Sequence, residues 1–285
     1  MAIKDLSLAA KTTVEGFMQG IHKSTIKGAG MEFSQYRSYQ PGDDLRSLDW
    51  KMYARSDRYY IRESEIETSI SVRFLIDASA SMNHVDEGFS KLQYAKYVAA
   101  SLAYLTRSQG DAIGLYIFRE GELFALPARK DHQHLTRLLH QIENIQAGGQ
   151  FTGPVQYKNI FVGSQKRELL VFITDFYQRE NEIFKLLELV AALKNEVIVL
   201  QVMAGNELEL DYQGYSTLED LETGQTIKVD AKTIKEAYQQ RLKVHLDNIK
   251  TQLHEKNIFY RLLKMNEPID TALRDFLNQR NKLKQ

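Results

Sequence analysis

Cysteine is absent from the 285 residues, which excludes disulfides and thiolate metal centres. Proline occurs only four times, and no Gly/Ser-rich or low-complexity tract and no internal repeat divides the chain. Net charge is also missing: 37 Lys and Arg balance 37 Asp and Glu, where a dedicated nucleic-acid binder would show a basic excess. No apolar run approaches the ~20 residues that span a bilayer, and the opening Met1-Ala2-Ile3-Lys4 lacks the apolar core of a secretory signal. The expectation is a cytoplasmic protein without membrane insertion, compatible with a membrane-bound partner. There is no Gly-x-x-x-x-Gly-Lys-Ser/Thr loop and no Gly-x-Ser-x-Gly elbow, so P-loop ATP hydrolysis and elbow-type serine hydrolysis are excluded. What the chain does have is enough apolar residue, 43%, for a substantial core.

That apolar content is organised as short strands between helices. Residues 71–82 read Ser-Val-Arg-Phe-Leu-Ile-Asp-Ala-Ser-Ala-Ser-Met, a bulky run of the kind buried on both faces of a parallel sheet. Similar runs at 169–174 and 197–203 predict two more such strands. Residues 91–108 keep Leu92, Ala95, Val98, Ala99, Leu102 and Leu105 at helical spacing. A strand over 112–118, a hairpin partner over 121–127 and helices over 132–145 and 181–194 follow. Strands alternating with helices predict an α/β, Rossmann-like, doubly wound and mostly parallel sheet. Residues 1–70, opening with a helix over 6–21, are expected to wrap onto this sheet domain of residues 71–285. Residues 205–256 form an insertion: a hairpin turning at Glu222-Thr223-Gly224-Gln225, then a long helix over 231–255. A strand over 258–263 and a helix over 268–279 close the chain.

The first strand ends in Asp77-x-Ser79-x-Ser81, a carboxylate and two hydroxyls at alternate positions. Hard divalent cations take oxygen ligands of this kind, and α/β folds place ligands at the C-terminal ends of strands. The pattern resembles the metal-ion-dependent adhesion site (MIDAS) of von Willebrand factor A domains. That resemblance implies a second carboxylate at the end of the neighbouring strand, matched by Asp175, and a loop threonine, for which Thr152 is the candidate. Gln150 stands where the usual pattern places that threonine, after Gly148-Gly149. The expected ion is Mg²⁺, with Mn²⁺ or Ca²⁺ able to substitute. Two plainer readings stay open: Asp77 and its serines cap the next helix without an ion, and Thr152 caps a helix.

A second resemblance is carried by Arg37-Ser38-Tyr39-Gln40-Pro41-Gly42-Asp43-Asp44, Leu45-Arg46-Ser47-Leu48-Asp49-Trp50 and Ala54-Arg55, with Asp220 to Gly224 and Leu273…Phe276-Leu277 further on. These residues resemble the bacterial family catalogued as domain of unknown function 58, which joins this signature to a von Willebrand A-like domain. Pro41-Gly42 makes a turn. Arg37, Arg46 and Arg55 interleave with Asp43 and Asp49, which suits bidentate ion pairs pinning an irregular segment; an acidic partner or a phosphate is the other use of such a strip. Trp50, the only tryptophan, is expected to anchor the segment in the core.

The resemblance implies a non-catalytic, metal-dependent protein-interaction module, an adaptor beside a MoxR-type AAA+ ATPase that recruits a substrate protein. The alternative is a Mg²⁺-dependent phosphoryl-transfer enzyme using Asp77, although Ser79 stands where haloacid-dehalogenase phosphatases carry a second Asp. His132, His134 and His140 lie among polar residues and read as an exposed helix face.

Overall fold

A computed structural model describes residues 5–22, 35–40, 48–63, 70–120, 122–151, 167–178, 181–212 and 214–283. They fall into two compact units: Met1–Lys23 together with Ile70–Gln285, and Ser24–Ser69. In chain order the elements are α1 (Leu6–His22), β1 (Gln35–Ser38), α2 (Trp50–Ser56), β2 (Tyr60–Glu63), β3 (Ser71–Asp77), a 3₁₀ turn (Ala80–Asn83), β4 (Val85–Asp86) and β5 (Phe89–Ser90). Then come α3 (Lys91–Ser108), β6 (Ala112–Arg119), β7 (Glu122–Arg129), α4 (His132–Glu143), β8 (Leu169–Thr174), α5 (Glu182–Ala192), β9 (Glu196–Met203) and α6 (Gly205–Glu209). The chain closes with β10 (Tyr215–Glu219), β11 (Thr226–Asp230), α7 (Ala231–Glu255), β12 (Phe259–Lys264) and α8 (Ile269–Leu283).

The larger unit is built on a six-stranded sheet in the order β12-β9-β8-β3-β6-β7. Every neighbouring pair is parallel except the edge pair β6–β7. Side chains alternate across the strands, and both faces are covered. Phe74 and Ile76 of β3 point into a core shared with α1, α3, α4 and α8, whereas Leu75 points into one shared with α5 and α7. That is why the central strands are largely apolar: all six residues of β8 are buried. Each such side chain is worth roughly 1.5–3 kcal/mol when fully removed from water.

This is the doubly wound, mostly parallel sheet expected from the sequence. From β3 the chain crosses by α3 on one face to β6; from β8 it crosses by α5 on the other face to β9. Opposite crossovers from adjacent strands open a crevice at the C-terminal ends of β3 and β8, the topological switch point where such sheets bind ligands.

α3 forms over the predicted span. Ser90 accepts from Gln93 N–H while the Gln93 side chain accepts from Ser90 N–H, a capping box. The insertion adopts the expected hairpin, β10–β11, and the long helix α7. In the smaller unit, β1 pairs antiparallel with β2, and Asp49 caps α2 by accepting from Lys51 and Met52 N–H.

Two expectations are corrected. Trp50 is not a core anchor: it is 62% exposed. It occupies the first turn of α2, a seven-residue helix with no buried residue, and its ring meets Tyr53 edge-on at 6.3 Å. Likewise, α4 does not expose all its histidines. His134 is 1% exposed and bonds through Nε2 to the Ile113 carbonyl at 2.9 Å. It lies on the same stripe as buried Leu138 and Ile142, four and eight residues on.

Candidate functional site

Asp77 ends β3 and is fully buried. Its Oδ1 accepts from Ser79 N–H at 2.9 Å, folding the backbone back over the strand end, and its Oδ2 accepts from the Thr174 hydroxyl at 2.6 Å. Ser79 and Ser81 are buried as well, their hydroxyl oxygens 3.0 Å apart. Two bonds with the loop after α4 clamp this segment: Gly148 N–H to the Ala78 carbonyl at 2.9 Å, and Ala80 N–H to the Gly149 carbonyl at 2.8 Å. Gly149 reaches this position with φ of +70°, a conformation that glycine adopts without strain. The glycine pair thus serves the Asp-x-Ser-x-Ser backbone directly.

Asp175 follows β8 at the same end of the sheet. Its Oδ1 accepts from Tyr177 N–H at 3.0 Å. Its backbone carbonyl accepts from Gln201 Nε2 at 3.0 Å, and Tyr260 in turn donates to Gln201 Oε1 at 2.7 Å. Phe176, between them, is buried with φ of +65°, an unfavourable conformation for an aromatic residue that its surroundings must hold in place. Four of the five residues proposed from the sequence as ligands, Asp77, Ser79, Ser81 and Asp175, therefore gather at the switch point. Thr152, the fifth, lies outside the described residues.

The electrostatics are those of a closed cup. Burial, then the Asp175 charge, push the Asp77 carboxyl up to about 7, against the opposing bonds from Thr174 and Ser79. Lys91, the first residue of α3, is 3% exposed. It donates to Asp175 Oδ2 and to Glu207 Oε1, both at 2.7 Å. Burial pulls the Lys91 ammonium down, but the Asp175 and Glu207 charges outweigh it and hold the group well above its ordinary range. Glu207 also accepts from Ala204 N–H through Oε2 at 3.0 Å, capping α6.

A cavity of about 220 Å³ lies over this cup, lined by Ser81, Lys91, Asp175, Tyr177, Glu207 and Asp220 among others. Tyr177 donates to Asp220 Oδ2 at 2.7 Å, so the β10–β11 turn forms one wall. Burial would raise the Asp220 carboxyl, but the Tyr177 hydroxyl and the turn N–H groups hold it below its ordinary value.

The donor set, two carboxylates and two hydroxyls, suits a hard cation that keeps part of its water. Among the described residues no cluster of three or more His, Cys, Asp or Glu could hold a metal, so any ion here depends on hydroxyl oxygens. Lys91, Thr174 and Glu207 were not singled out from the sequence. None of the three carries a sequence signal: the partners of Lys91 and Thr174 lie 84 to 116 residues away in the chain.

The signature residues lie apart from this cup in the chain, within the Ser24–Ser69 unit. Arg37 is in β1. Tyr39 meets Tyr59 edge-on at 6.3 Å, and Tyr59 stacks on Tyr53 at 4.5 Å. Asp49 caps α2, and exposed Arg55 sits in its last turn. Asp43 and Arg46 lie outside the described residues.

The sequence profile of the family described as "Protein of unknown function DUF58" matches residues 35–248. Uncharacterized proteins of Mycobacterium bovis and Mycobacterium tuberculosis are 28% identical over 226 residues, covering 78% of this chain and 71% of theirs. Among solved structures, the conserved hypothetical protein BatB from Bacteroides thetaiotaomicron is 18% identical, with a TM-score of 0.48 over 75% of this chain and 100% of that one. The SpRpn10 VWA domain is 10% identical, with a TM-score of 0.42 over 74% of this chain and 95% of that one.

Proposed function

The chain belongs to the DUF58 family of proteins of unknown function, and we propose that it is a non-catalytic protein-interaction module whose binding site is the cup at the ends of β3 and β8. The observation behind this reading is the convergence of Asp77, Ser79, Ser81 and Asp175 at one end of the sheet, where Ser81 and Asp175 line the cavity. Those residues would hold Mg²⁺, or Mn²⁺ or Ca²⁺ in its place. A bound ion would supply an open coordination position for an acidic group of a partner. The chain's own residues do the rest: Asp77 shapes the loop, the glycine clamp fixes it, and Tyr177 with the β10–β11 turn forms the wall a partner meets.

Asp77 is a poor candidate for a phosphoryl-accepting nucleophile. It is fully buried, and both of its oxygens already accept hydrogen bonds. Each carboxylate oxygen keeps a second lone pair that an ion can use, whereas a nucleophile must meet an incoming phosphorus in line; this favours binding over the phosphoryl-transfer alternative, which a phosphatase screen with Asp77→Ala as control would check. We place the module in the cytoplasm, as an adaptor that presents a substrate protein to a MoxR-type AAA+ ATPase; that partner rests on the family resemblance alone. No helix among the described residues is long and apolar enough to cross a membrane.

The test is a Mg²⁺ titration read by melting temperature. An ion that binds only the folded chain stabilises it by about 1.4 kcal/mol at ten times its Kd, so the wild type is expected to rise and Asp77→Ala to stay flat. Identical responses would remove metal from the reading. A pull-down with and without EDTA tests the partner: an ATPase retained only with the ion supports the adaptor role, and an Asp77→Ala catch unchanged from wild type defeats its metal dependence.

A further inference from the structure

Lys91 is a costly residue to place where it stands. It is almost wholly buried, and it opens α3, where the aligned peptide dipoles present positive charge of their own. Removing an ammonium from water costs several kcal/mol unless carboxylates face it directly. Two do: Asp175 Oδ2 and Glu207 Oε1, each 2.7 Å from Nζ. One of them is the second carboxylate of the proposed cation cup.

We propose that Lys91 is the cup's own tethered cation, which competes with a divalent ion for Asp175 and thereby sets how tightly the site binds metal. The inference rests on the metal-binding reading above and deepens it. With the ammonium in place, one oxygen of Asp175 is engaged by a positive charge and the other by Tyr177 N–H. An incoming cation therefore meets a carboxylate whose field is already largely neutralised. Without the ammonium, Asp175 and Glu207 would be two carboxylates with no shared counter-charge, and both would favour a divalent ion. The second arm to Glu207 matters as well. Glu207 belongs to α6, which Tyr238 of α7 also holds by donating to the Glu207 carbonyl at 2.7 Å. Lys91 thus joins the cup to the insertion, and Glu207 is the partner that draws the ammonium away from Asp175.

The experiment titrates Mn²⁺ into wild type, Lys91→Met and Glu207→Gln, reading bound metal by electron paramagnetic resonance and folding by circular dichroism. Lys91→Met is expected to bind at least about tenfold more tightly than wild type, because a unit positive charge has left the immediate surroundings of the ion. Glu207→Gln is expected to shift the other way, since Lys91 is then left to Asp175 alone. This second variant keeps the test decisive if Lys91→Met does not fold. Saturable binding in the wild type with an unchanged or weaker Lys91→Met, or with a Glu207→Gln that binds more tightly, overturns the role of Lys91 and leaves the metal reading standing. Binding by Lys91→Met alone supports the competition in its strongest form. Silence from all three proteins overturns both readings together.

Discussion

Asp77 keeps its proton longer when folded than when unfolded, and this has a direction in pH. Its folded carboxyl is pushed up to about 7 from an ordinary 3.8. Between those values the folded chain binds more protons than the unfolded one, so raising the pH favours unfolding. The stabilisation from this group is complete below about 4 and is lost as pH passes about 7. In EDTA, the melting temperature of the wild type is expected to fall relative to Asp77→Asn between pH 4 and 7.5. Parallel curves would show that the carboxyl titrates normally. The amide keeps the shape and the acceptor for Thr174 but loses the one for Ser79 N–H, a cost that does not vary with pH, so the slope of the difference with pH, not its absolute size, reports the charge. Ser90 offers a second, simpler case: its hydroxyl accepts from Gln93 N–H at 3.1 Å, and Ser90→Ala is expected to cost about 1 kcal/mol in chemical denaturation. A loss near zero would mean that the Gln93 half of the capping box holds the helix start unaided.

The elements that position the cup were legible where one force dominated. β3, β8 and β9 are buried on both faces, so largely apolar runs announce them, and Asp77 and Asp175 announce the ends of β3 and β8. α3 was equally plain from Leu92, Val98 and Leu102, all buried. Legibility failed where a residue's surroundings come from remote chain. Lys91 reads as an ordinary surface helix start until β8 and α6 supply its carboxylates. The five residues of α6 are too few to show a period. His134 was read with its polar sequence neighbours, though its spacing to Leu138 and Ile142 marked it as inward-facing. Trp50 was given to the core on residue type alone. The Gly148-Gly149 loop was read for what might follow it, whereas its backbone clamps residues 78–80. Gly149→Ala tests that clamp. A Cβ there would run into Glu120 and would have to adopt φ of +70°, a cost of about 1–3 kcal/mol. The variant should lower stability and blunt the Mg²⁺ response, whereas a normal response would show that the loop carries the strain without moving the cup.

On the scale of the whole molecule, the core of the sheet unit is completed by the two ends of the chain. α1 packs on α3, α4 and α8, and Leu6 and Ala10 share a buried cluster with Ala95, Ala99, Leu273 and Phe276. The helix is separated in sequence from β3 by Ser24–Ser69, yet it clusters with Ile70–Gln285. Ala10 is completely buried, and the alanines of α3 in the same cluster suggest why: small residues on both helices allow a close approach, where a larger side chain would strain the packing. Leu6→Ala should therefore cost about 2–3 kcal/mol, as a cavity in a core, and Ala10→Leu about 1–3 kcal/mol, as overpacking. Both losses should appear in the cooperative melting of the sheet, read by near-ultraviolet dichroism, and in amide exchange of β3 at the centre of the fold. If α1 were only an appendage, Leu6→Ala would speed exchange within residues 6–22 and leave β3 protected as before. Faster exchange in β3 is the expected result, because the face of β3 that carries Phe74 and Ile76 lies in the cluster that α1 completes. By the same argument, a destabilising change in α1 should leave the intrinsic affinity of the cup for its proposed ion unchanged, and should weaken apparent binding only near the melting temperature, where the folded population falls.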